Sequence, residues 1–151
     1  MEGTDELDAS EVGRISSVSY TVGLSVSALA GILHFFAPYA FAWSSYIPDA
    51  PPEIYASIDY VNFLFSLLLS GLSILLLLMK KRAFAGSVEV RAFYFFLTFV
   101  WLCRVLLTIV IPWPTSLQPW LLVGFTTVFV VTLVPATYFL RRTLATASAY
   151  S

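Results

Sequence analysis

Residues 58–79 read IDYVNFLFSLLLSGLSILLLLM. Apart from Asp59 at its start, the stretch holds no charge, and it closes on the unbroken apolar run ILLLLM. About 20 mostly apolar residues in a helix cross roughly 30 Å of hydrocarbon, so this segment predicts a membrane span. Three others match it, at about 18–42, 92–111 and 119–140. Backbone polar groups in lipid must be bonded within their own segment, which makes the expected fold an all-α integral membrane protein, a four-helix transmembrane bundle.

Composition agrees. The chain is 59% hydrophobic and 11% charged, with a mean hydropathy of +0.86, against about 25% charged in a soluble domain. A compact globule of 151 residues could not hide that much apolar side chain, whereas a bilayer solvates it. The partner implied is therefore the lipid bilayer, and the protein is expected to be multi-pass in a membrane the sequence does not specify. Nucleic acid is excluded as a partner, because no Lys/Arg patch of the needed size exists. One cysteine (Cys103) and one histidine (His34) rule out an internal disulfide, a CxxC redox pair, a zinc site and a bis-histidine haem. No metal and no cofactor is expected.

The connections carry the turn chemistry. Residues 43–57 hold Pro48, Pro51 and Pro52, read here as helix stops; residues 80–91 are charged; and PWPTSLQP at 112–119 is short and closed by prolines. Five acids (Glu2, Asp5, Glu6, Asp8, Glu11) crowd the start. An acidic opening does not read as a signal peptide, so residues 1–17 are expected to be a polar tail, 18–142 the membrane domain and 143–151 a second tail. Lys80, Lys81, Arg82 and Arg91 lie in the second loop, Arg141 and Arg142 follow the last span and Arg14 precedes the first, whereas the first and third loops have no Lys or Arg. The positive-inside rule then puts both termini in the cytoplasm. Trp43, Trp113 and Trp120 fall at the opposite interface, where indoles prefer to sit.

Small and polar residues mark the inward faces. Ser19, Gly23, Ser27 and Gly31 recur every four residues, and His34 continues that face. Asp59, Asn62, Ser66, Ser70 and Ser73 form a seam on the second span, and Tyr94, Trp101, Arg104 and Thr108 line up on the third. The plainer explanation of the serine seam is packing, since buried hydroxyls can bond carbonyls of their own helix. Pro135 is expected to bend the last span.

Arg104 is the costliest residue. It lies about 20 Å along its helix from Arg91, within the hydrocarbon, where a guanidinium costs about 2.5–3.5 kcal/mol on insertion scales. His34, Asp59 and Asn62 reach similar depth. An Asp59–Arg104 ion pair flanked by His34 and Asn62 is the expected remedy. Such a cluster serves either to fix helix register or to form a small pocket for an anionic or carbonyl group, in which an imidazole can exchange protons. The candidate ligand-binding residues are thus His34, Asp59, Asn62, Trp101 and Arg104. No GxSxG, P-loop, HExxH or paired-carboxylate motif occurs in the spans, so no catalytic residue is named. Cys103 is read as an inert apolar residue.

The segment GILHFFAPYAFAWSSYIPDAPPEIY, with Gly31-x-x-His34-Phe35, then Pro38, Ile47-Pro48 and Pro51, resembles the DoxX-like family of small four-helix membrane proteins. The resemblance implies a four-span bundle, in a group that includes subunits linked to quinone or thiol oxidoreductases alongside many proteins of unassigned role. The family's mid-membrane acid on the second helix is missing here, so only His34 carries over.

Three roles are compatible with these features. Small size, minimal loops and the lack of a catalytic constellation favour a non-catalytic accessory subunit of a larger membrane assembly, contacting other subunits or its own copies. Alternatively, the polar cluster binds a lipophilic or anionic ligand such as a quinone, sterol or lipid. A small oligomeric transporter or channel is the third.

Overall fold

The computed structural model describes residues 2–114 and 116–148, with side chains from Ser10 onward. The acidic side chains before Ser10 and the end of the expected C-terminal tail (residues 149–151) lie outside the described residues. Of the described residues, 87% are helical. Four long helices are α1 (Glu2–His34), α3 (Pro52–Leu78), α5 (Val88–Val110) and α6 (Gln118–Ser148), and short helices α2 (Ala37–Ala40) and α4 (Lys80–Ala85) sit in the first two connections. All four long helices are long and apolar enough to span a membrane, α1 over Ser10–His34.

The boundaries correct the sequence expectations in ways that have causes. α1 runs back to Glu2 without a break at residue 17 and stops at His34, short of residue 42. The stop follows from Pro38, which has no N–H for the His34 carbonyl four residues earlier. α3 begins at Pro52, six residues before the expected start, with Pro51 as N-cap. Proline at the first helical position starts a helix as readily as an internal one stops it. Asp59 is therefore two turns into α3. α6 runs past residue 142 to Ser148, since adding residues to a formed helix costs little.

Successive long helices run antiparallel. α1 packs along both α3 and α6, α5 packs along α6, and α3 and α5 touch at few points, so the ring is loosely closed between those two. Small residues set the close approaches. A Cβ on Gly31 would lie 2.6 Å from the Ser70 amide nitrogen on α3, and one on Gly23 would lie 2.9 Å from Thr132 Cγ2 on α6. The α3 seam turns inward: Asn62, Ser66, Ser70 and Ser73 are buried, while Asp59 is exposed. Ser66, Ser70 and Ser73 each donate to the carbonyl four residues earlier, which meets the hydroxyls' needs without exposing the backbone.

One end of the bundle, here the basic end, is filled by rings. Tyr20 of α1 stacks on Tyr94 of α5 at 4.7 Å across the diagonal, and Phe139 of α6 and Phe84 close around them edge-on. Tyr20 donates to the Leu76 carbonyl at 2.7 Å, one of the last four carbonyls of α3 that the helix itself leaves open. Tyr94 donates to the Thr132 carbonyl at 2.9 Å. Lys80 reaches Thr21 at 2.8 Å, and Arg91 donates to the Ala83 carbonyl at 2.9 Å. At the opposite, tryptophan end, Gln118 joins α5 to α6 by donating to the Thr108 carbonyl at 2.7 Å and accepting from the Trp113 amide at 2.8 Å.

Candidate functional site

Where α3 and α5 part, towards the tryptophan end, the bundle contains a cavity of about 230 Å³ lined from all four long helices: Ala30 and His34, Phe65 and Leu69, Trp101, Cys103, Arg104 and Leu107, and Phe125. A second chamber of about 490 Å³ adjoins it, sharing His34, Phe65 and Arg104 and adding Asn62, Ile58 and Trp43. That chamber alone lies within the roughly 300–1,000 Å³ of small-molecule sites.

Each polar wall has a local origin. Because Pro38 cannot donate to it, the His34 carbonyl is free, and Asn62 Nδ2 donates to it at 3.1 Å. The contact ties the end of α1 to α3 and leaves the His34 side chain against Phe65, with ring centroids 4.9 Å apart. Trp43 faces the imidazole edge-on at 6.4 Å. It is carried by a short 3-10 turn that Ala42 enters with φ 47°, a left-handed conformation rare for a residue with a Cβ. Deeper in, Trp101 is buried, its Nε1 donating to Ser27 at 3.1 Å, and Ser73 lies 2.9 Å from the same hydroxyl. Trp101 is thereby fixed as the floor of the cavity.

Three polar groups in this region have side-chain atoms without a hydrogen-bond partner among the described residues. His34 Nδ1 and Asn62 Oδ1 are buried without a hydrogen bond. The Arg104 guanidinium lies 4.6 Å from the Phe125 ring centre, and none of the described carboxylates is within ion-pair distance. The expected Asp59–Arg104 pair is thus not formed. Asp59 lies exposed beside Pro38, Tyr39 and Ile47 in a separate cleft. Three residues before Asn62, it stands about 60° round the helix from it, on the exposed side of α3. Of the five sequence candidates, His34, Asn62, Trp101 and Arg104 border the two chambers and Asp59 does not.

Sequence reasoning missed Phe65 and Phe125, which form the apolar walls and, in Phe125, the partner of Arg104. Among so many phenylalanines no residue pattern singles them out; only their position opposite α5 does. Cys103, read as inert, borders the cavity.

No known protein family, curated protein or solved structure matches this chain.

Proposed function

We propose that this chain is a four-span membrane protein, with both termini and the basic loop cytoplasmic, that binds a small lipophilic molecule with a hydroxyl or carboxyl head. The head would meet Arg104, His34 and Asn62, and the apolar body would lie between Phe65, Leu107 and Phe125. The observation that carries this reading is an arginine without a carboxylate partner among the described residues, next to two buried polar atoms with no hydrogen bond there, on the wall of an otherwise apolar cavity. Buried polar groups are nearly always bonded, and a guanidinium in hydrocarbon is costly. A bound head group offering acceptors to Arg104 and a donor hydroxyl to Asn62 Oδ1, with His34 Nδ1 bonding either kind of group, removes both penalties. Quinols, with hydroxyls on an apolar ring, meet this description and agree with the quinone link of the DoxX-like resemblance; lipids with a protonated carboxyl meet it too. The role as an accessory subunit of a larger assembly draws on small size and short loops, and a ligand-carrying subunit satisfies both readings.

The test is extraction and mass spectrometry of protein purified in mild detergent. One lipophilic species should accompany the wild type and be depleted in Arg104→Gln; equal amounts in both would refute the reading. Orientation is tested separately in a Cys103→Ala background. A membrane-impermeant thiol reagent should label Ser44→Cys from outside and Ser87→Cys only after permeabilisation.

A further inference from the structure

A second built cavity lies at the basic end, between α5 and α6, and plays no part in the reading above. It measures about 720 Å³; Arg91 and Arg142 supply its cationic side and Val88, Ala92 and Phe95 its apolar side. Arg91 is held firmly. Its Nε donates to the Ala83 carbonyl at 2.9 Å, its Nη1 to Thr143 at 3.3 Å, and its guanidinium lies 5.0 Å from the Phe139 ring centre. Nη2 has no partner among the described residues and lies near Gly86, whose missing side chain leaves room: a Cβ there would stand 4.0 Å from it. Arg142 lies 5.6 Å from the Tyr138 ring centre, and its side chain makes no hydrogen bond to the described residues. The neighbouring hydroxyls cannot serve as donors, because Thr143 gives its proton to the Phe139 carbonyl and Thr146 to the Arg142 carbonyl. Among the described residues no carboxylate pairs with either arginine; Glu89 accepts from Ser87 instead and does not line the cavity.

The uncommitted donors are therefore all cationic, and a strip of apolar surface on α5 runs away from them. We propose that this cavity binds a phosphate-bearing amphiphile, with the phosphate on Arg91 Nη2 and Arg142 and an acyl chain along Val88, Ala92 and Phe95. Basic pockets between spanning helices hold anionic headgroups in this way, with roughly 1 kcal/mol, about fivefold in affinity, for each cation.

Native mass spectrometry of the full chain in a non-ionic detergent tests it, with phosphatidylglycerol, phosphatidylcholine and inorganic phosphate as probes. Arg142 is exposed, so Arg142→Gln should leave the fold intact. Arg141→Gln removes the same charge next door but outside the cavity. The expected result is a preference for phosphatidylglycerol over phosphatidylcholine that falls about fivefold in Arg142→Gln and holds in Arg141→Gln. Equal loss in both variants would reduce the effect to the diffuse field of the basic end and overturn the site. Displacement of bound phosphatidylglycerol by inorganic phosphate at equal concentration would overturn the lipid assignment in favour of a soluble phosphate. Neither result bears on the cavity beside Arg104.

Discussion

The two ends of this bundle handle their buried polar side chains in opposite ways. At the basic end Tyr20, Tyr94 and Arg91 each donate to a backbone carbonyl, and the rings of Tyr20, Tyr94 and Phe139 are fully buried. At the tryptophan end His34 Nδ1 and Asn62 Oδ1 are unpaired, and Arg104 has only the face of Phe125. Interhelical hydrogen bonds and close packing hold helices together in lipid, where the hydrophobic effect between them is absent. The basic end thus has the features of a structural anchor. The opposite end leaves α3 and α5 apart and accepts unsatisfied groups, a pattern expected where stability has been given up for a ligand.

This contrast can be broken most forcefully at the ring cluster. Tyr94→Ala should destabilise the protein by about 3–5 kcal/mol, as removal of a buried aromatic does elsewhere, read as a large fall in thermal unfolding temperature in detergent. Next comes the helix contact that joins the two halves. Gly31→Val forces a side chain onto the α3 backbone and should cost about 1–3 kcal/mol or more, whereas Gly124→Ala, with open space around it, should be neutral or slightly stabilising. Equal effects at the two glycines would count against the close α1–α3 approach.

Arg104→Leu should act in the opposite direction. The insertion cost it removes, about 2.5–3.5 kcal/mol, exceeds the roughly 0.5–2 kcal/mol lost with the Phe125 contact. The ligand-free protein should therefore gain about 1 kcal/mol or more in stability while losing its co-purifying molecule. A stability loss instead would make Arg104 a structural residue. Tyr20→Phe removes one interhelical bond to the Leu76 carbonyl and should cost about 0.6 kcal/mol, the average for such bonds in membranes. The smallest effect expected is the coupling between Asp59→Asn and Arg104→Leu. With no ion pair between them, their effects should add to within about 0.5 kcal/mol, and a larger coupling in a double-mutant cycle would restore the pair.

Four apolar stretches of spanning length, the proline-bounded connections and the small-residue face of α1 were readable from residue types alone, because span length and helical period are local properties. His34, Asn62, Trp101 and Arg104 were legible as a group for the same reason: depth along a helix follows from counting residues. Which of them meet was a different matter. Asp59 left the group because it stands on the exposed side of α3, and Phe125 joined it because α6 packs against α5. Pairing depends on the rotation and separation of helices set by contacts such as Gly31 on Ser70, and those distances exist only once the chain has packed.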